Sequence, residues 1–137
     1  MKKYPKIELR THKSWHEDQY FVDGAQAWAV ETLWEAAKDL PAYEVPLIGM
    51  NIDITPWDSV MDDFLTYLSH VKLILDADLS YPVILTPAGA IADGRHRIGK
   101  AVVQGLTKIK VVRLPYMPEP DLLYDDEGEA ILNEEDE

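Results

Sequence analysis

The chain has 137 residues, 47% apolar and 28% charged, with a net charge of −12 and no cysteine. That length suits one domain with a real core, and the missing cysteines exclude disulfides, thiolate metal sites and a cysteine nucleophile. No apolar run approaches the ~20 residues of a membrane span, and Met1 to Lys6 lead into polar sequence rather than a signal peptide, so a cytoplasmic protein is expected.

Lys6 to Arg10 and Tyr20 to Val22 read as short extended pieces without a clean period. His12 and His16 stand four apart, as a metal pair on a helix would, but no third ligand accompanies them. Asp23-Gly24 opens a run of helical character through Leu40, stopped by Pro41. Ala25, Ala29, Leu33, Ala36 and Leu40 share one face of it, and Trp28 and Trp34 read as packing anchors rather than as a stacking platform. Glu44 to Ile54 is a β-rich stretch weakened by Pro46 and Gly49. Thr55-Pro56-Trp57-Asp58 looks like a helix start, with a cap, a first-position proline and an early acid. That helix should reach about Leu75, burying Val60, Phe64, Leu68, Val71 and Leu75 and leaving His70 at the surface or boundary.

Tyr81 to Thr86 and Ala90 to Ala92 flank the turn Pro87-Ala88-Gly89, which predicts a small hairpin. Arg95 to Gln104 has helical spacing, and Gly105 sits where a terminating glycine belongs. Lys108 to Leu114 alternates and reads as a strand with one exposed face. Pro115, Pro118 and Pro120 then end the ordered part. The predicted fold class is α+β: a small mixed sheet with packed helices, residues 1–116 with an N-terminal helical extension, then an acidic, flexible tail, 117–137.

Ten of the 25 acids lie in residues 117–137, which carry no Lys or Arg. The rest of the chain is therefore nearly neutral. Between Gly94 and Pro118 there is no acid at all, while Arg95, Arg97, Lys100, Lys108, Lys110 and Arg113 fall there. That window attracts anions within an acidic protein.

Asp93-Gly94-Arg95-His96-Arg97 is the most informative passage. A strand runs into a glycine, and a helix begins. Its leading N–H groups lack internal partners, and the dipole adds about half a positive charge, so an anion finds donors already aimed at it. Gly94 lets backbone approach a ligand, and Arg95, His96 and Arg97 offer donors to phosphate. Asp93 can orient one of these or meet a Mg²⁺ that accompanies phosphate. An Arg at a helix start gains nothing from its charge, so truncating Arg97 should cost the unliganded fold little. The plain alternative is a surface helix whose cations face water. No Walker pattern exists in the chain.

On these residues the chain resembles the ParB/sulfiredoxin-like superfamily, over roughly Val45 to Leu114. Gly94, His96 and Arg97 match the sulfiredoxin Gly-Cys-His-Arg box. Arg95 takes the place of the reactive cysteine, which excludes sulfinic-acid reduction. Asp93, Gly94, His96 and Arg97 match the Asp-Gly-His-His-Arg of the free-serine-kinase branch. Only Gly94 and Arg97 match the CTP box of the partition-protein branch, and no helix-turn-helix domain follows. The resemblance implies a nucleotide-binding domain taking ATP or CTP with Mg²⁺ on Gly94, His96 and Arg97, acting as a phosphotransferase or nucleoside triphosphate hydrolase. Arg95, a position the resemblance does not cover, is added as a phosphate donor from its place at the helix start. The resemblance also makes Asp53 the nearest candidate for the carboxylate that serves as base for an acceptor hydroxyl, against a plain role in the turn before a helix.

The competing reading is a non-catalytic interaction or inhibitor protein, of the kind that serves as a phage or plasmid regulator, meeting a protein partner through its acidic tail. A nuclease reading lacks a carboxylate cluster, and the charge argues against duplex DNA as a partner.

Overall fold

A computed structural model describes residues 3–9, 20–54, 63–125, 127–128 and 130–132. The predicted α+β class holds: the described residues form three helices and two four-stranded sheets. The elements are β1 (Tyr20–Asp23), β2 (Gln26–Ala29), α1 (Val30–Ala37), β3 (Tyr43–Pro46), α2 (Phe64–Asp76), β4 (Val83–Leu85), β5 (Ile91–Asp93), α3 (Arg95–Val103), β6 (Lys108–Arg113), β7 (Leu122–Tyr124) and β8 (Ala130–Leu132).

The central sheet has the order β3-β6-β4-β5. It is mixed: β4 runs parallel to β6, while β3–β6 and β4–β5 are antiparallel. Successive side chains of a strand point to opposite faces, and here both faces are covered. Val83, Leu85, Ile91, Ile109 and Val111 pack toward Ile98 and Ala101 of α3. Ile84, Ala92, Val112 and Leu114 pack toward Leu33 and Ala37 of α1 and toward Trp28. The single exposed face expected for Lys108 to Leu114 is thereby corrected, since Val112 is buried under the α1 layer.

The helix expected from Asp23 to Leu40 is instead a hairpin followed by a short helix. Asp23 pairs with Gln26 across Gly24-Ala25, and Gly24 has φ 61°. A glycine with positive φ at the first central position suits a two-residue hairpin turn. Phe21 and Trp28 stack across the pair with ring centroids 5.8 Å apart. The other edge of β2 binds β7, so strand pairing overrides the helix propensity of the alanines.

The β-rich stretch to Ile54 ends early. After Pro46 the chain turns through a 3₁₀ segment, Leu47–Gly49, which buries Leu47 and exposes Ile48. The predicted helix start at Thr55 to Asp58, and Val60, lie outside the described residues. Within them, α2 is capped by Asp63, whose carboxylate accepts from the Thr66 amide at 2.7 Å. Its buried face is also not the predicted one. Thr66, Ser69 and His70 are buried, whereas Phe64 is 73% and Leu75 58% exposed. The reason is what α3 offers: His96 bonds His70, and Gly99 leaves room for Ile74, since a Cβ there would stand 3.3 Å from Ile74 Cγ1.

The acidic segment after Met117 is not a separate tail as far as it is described. β7 pairs antiparallel with β2, and β8 with β7. Trp28 Nε1 donates to the Pro118 carbonyl at 2.7 Å, and the Ala29 amide donates to Asp121 Oδ2 at 2.9 Å. An isolated two-stranded hairpin is marginal in water, and the third and fourth strands complete the β1–β2 pair. The boundary expected at 116/117 is thus crossed by backbone pairing. Among the described residues no helix is long and apolar enough to cross a membrane.

Candidate functional site

β5 ends at Asp93, and Gly94 (φ 118°, ψ 19°) turns the chain into α3. No side chain caps the first turn of α3, and no acid lies in it. The side of Gly94 on which a Cβ would lie is filled by protein rather than left for a ligand. A Cβ there would stand 2.9 Å from Val83 Cγ2 and 3.2 Å from Val83 Cα. Glycine is required by both the dihedral and the neighbour.

Asp93 and Arg97 are bound to one another. Asp93 Oδ2 accepts from Arg97 Nη2 at 3.0 Å and from Trp34 Nε1 at 2.8 Å. Arg97 Nη2 also donates to the Pro82 carbonyl at 3.2 Å. Both side chains are only 17% exposed, and Arg97 Nε is buried with no hydrogen-bond partner. The expected phosphate fork is therefore a brace linking α1, β5, α3 and the entry to β4. Arg97→Ala should leave the Asp93 carboxylate without its cation, and breaking a largely buried pair costs about 3 kcal/mol. A urea titration of the unliganded protein checks this, reversing the expectation that the change is nearly free.

The same contacts bear on Mg²⁺. The carboxylate oxygen expected to meet the ion already faces a guanidinium, and among the described residues no three His, Asp or Glu side chains converge. The residues at Asp93 do not fit a protein-held divalent cation. Asp53 is exposed in the loop after the 3₁₀ segment and does not line the cleft described next. The structure does not bring it to the box.

The cleft lies on the α1 side of the central sheet, with a volume of about 1250 Å³. Its walls include Phe21 of β1, Val30 and Trp34 of α1, and Leu73 at the end of α2, with Ile84, Ala92 and Val112 beneath. Gly94, Arg95, His96 and Arg97 line it together with Lys110. In the parallel β4–β6 pair Val83 is level with Val111, so Lys110 stands level with Pro82, whose carbonyl holds Arg97.

The six bases of the acid-free window divide by role. Lys100 Nζ donates to the Ala77 carbonyl at 2.7 Å, closing the end of α2, and Arg113 donates to the Pro87 carbonyl. Arg97 is the brace, and Lys108 is exposed away from the cleft. Arg95 and Lys110 remain: both line the cleft, and neither forms a hydrogen bond or ion pair with any described residue. Acids are present on the rim too. The Ser80 hydroxyl and then its amide hold the Asp78 carboxyl below its usual range, with smaller help from Lys100 and Arg97. Asp76 is paired with Lys72 at 2.5 Å.

His96 reaches away from the expected role. Its Nε2 lies 3.1 Å from Nδ1 of His70, and the rings stack at 5.4 Å. His70, expected near the surface, is 1% exposed. Trp34 and Lys110 were missed as cleft residues. The alternation of β6 could have flagged Lys110 as an outward cation, but no local signal marks Trp34. Trp34 is 47% exposed and its indole is held at the rim by Asp93, whereas Trp28 is the buried anchor both were expected to be. No family model, curated protein or solved structure matches the chain.

Proposed function

We propose that this cleft binds a nucleotide, ATP or CTP being the first candidates, and that the chain is a ParB/sulfiredoxin-like domain. The phosphates take the uncapped start of α3 with Arg95 and Lys110. The base lies against Trp34 and the apolar walls. The observation that carries this reading is the coincidence of two unpaired cations with a helix N-terminus that no side chain caps, at one cleft. Orphan amides and side-chain cations there act on the same anion. A half-exposed indole held by its edge offers a flat face for stacking. The strand, hairpin, box, helix and strand order from β4 to β6 accords with the family resemblance.

The reading is one of binding rather than turnover. The only carboxylate within the box is engaged by Arg97 and Trp34, and the acid suggested for catalysis lies outside the cleft. Sulfinic-acid reduction stays excluded because Arg95 stands where that chemistry needs a thiolate.

Thermal-shift measurements with ATP, CTP, GTP and their diphosphates, with and without Mg²⁺, test it. Saturating ligand at 100 times its Kd raises stability by about 2.7 kcal/mol. Arg95→Ala and Lys110→Ala should each lower affinity about tenfold or more, as loss of one charge-assisted hydrogen bond does. Both side chains lack protein partners, so the unliganded melting temperature should hold. No shift with any nucleotide at millimolar concentration would reject the reading.

A further inference from the structure

α3 holds the loop between α2 and β4 at both ends. Lys100 Nζ donates to the Ala77 carbonyl at 2.7 Å, and Arg97 Nη2 donates to the Pro82 carbonyl at 3.2 Å. Asp78 stands just inside the first of these anchors, and Ser80 sets its side chain. Asp78 Oδ1 accepts from the Ser80 hydroxyl at 2.7 Å and from the Ser80 amide at 2.9 Å. Those two bonds use both lone pairs of that oxygen. Oδ2 accepts no hydrogen bond from any described residue. Its neighbour on the rim, Asp76, is already held by Lys72.

The charge of Asp78 does not serve the helix before it. An acid just past the C-terminus of α2 meets the negative end of the dipole. Ser80 keeps the group ionised all the same, with smaller help from Lys100 and Arg97, and it lines the cleft. An anionic acceptor beside a phosphate site repels phosphate, so what it can take from a ligand is a donor.

Resting on the nucleotide reading above, we propose that Asp78 Oδ2 accepts a hydrogen bond from the ribose 2′-hydroxyl, which makes the cleft selective for ribonucleotides over 2′-deoxyribonucleotides. Position favours the sugar. Arg97 and Trp34 both bond Asp93 Oδ2, and Arg97 also holds the loop that carries Asp78. Asp78 is thereby tied to the junction between the stacking face of Trp34 and the phosphate cations of α3. A nucleotide carries its sugar at that junction. A carboxylate that accepts from a ribose 2′-hydroxyl is an established pairing in dinucleotide sites.

Calorimetric titration of the full chain with ATP, CTP and their 2′-deoxy counterparts tests the proposal. The ribonucleotide should bind at least about tenfold more tightly, since a site built around a hydroxyl penalises the analogue that lacks it. Asp78→Asn is the decisive variant. Asn keeps an oxygen for Ser80 and puts an NH₂ donor in place of Oδ2, so the turn persists while the acceptor is lost. It should weaken the ribonucleotide about tenfold and leave the 2′-deoxy form no weaker, which erases the preference. The unliganded melting temperature should match that of the wild type. Equal wild-type affinity for the two forms overturns the inference and leaves the nucleotide reading standing, whether or not the variant folds. So does a preference that survives Asp78→Asn. An equal loss on both forms also overturns it, because Oδ2 would then meet a group the two share, such as a base amino group. Binding of none of the four nucleotides overturns both readings together.

Discussion

Removing residues 118–137 should lower the melting temperature by some 15–20 °C or prevent folding. The truncation strips β7 from the edge of β2 and takes away the Pro118 carbonyl that holds the Trp28 indole. It also removes Asp121, whose carboxylate accepts from the Ala29 amide just before α1 begins. Exposing a large buried side chain costs about 3 kcal/mol, and each lost hydrogen bond about 1 kcal/mol. Together these approach 5 kcal/mol, a large part of the 5–15 kcal/mol by which domains are typically stable. A domain of this size loses about 3–4 °C per kcal/mol. Composition alone pointed the other way, since ten acids and a few aliphatics look like a tail that can be removed freely. Thermal melts of the full chain and of residues 1–117 decide. Equal melting temperatures would mean that β7 adds nothing to the core beneath Trp28.

Gly94→Ala should cost the fold about 4 kcal/mol, from left-handed backbone strain and overpacking together. At φ 118° a side chain is strained wherever it points, and here it points at Val83. Val83 is fully buried, and β4 is paired on both edges, so neither the side chain nor the Cα can retreat. The new Cβ would also stand 3.0 Å from Arg97 Nη2, displacing the brace to Asp93. Gly105→Ala is the control. Gly105 too has a positive φ, 77°, but open space around its missing Cβ. It should therefore show backbone strain alone, about 1 kcal/mol. Denaturant titrations of both variants give the comparison. Equal losses would show that crowding at Val83 is unimportant.

From β4 to β6 the fold was legible because its signals are local. A three-residue apolar strand, a turn with glycine, a helix closed by Gly105 and an alternating strand each announce themselves within a few residues. The mixed α+β sheet and the helix start after Asp93 follow from them. Elsewhere the deciding partner lies far along the chain. β2 reads as helix until Leu122 and Leu123 arrive at its edge, almost a hundred residues later. α2 is a helix by its own sequence, but its buried face was chosen by the gap at Gly99 and the hydrogen bond between His70 and His96, neither visible in its periodicity. The box shows the same division. Sequence alone placed glycine and cations at a helix start. Tertiary structure made Arg97 a brace and His96 the partner of His70, and left Arg95 and Lys110 facing the cleft. Spacing determines which residues share a helix face or a strand. Only the packed neighbours determine which of those faces is covered and which cations are already held.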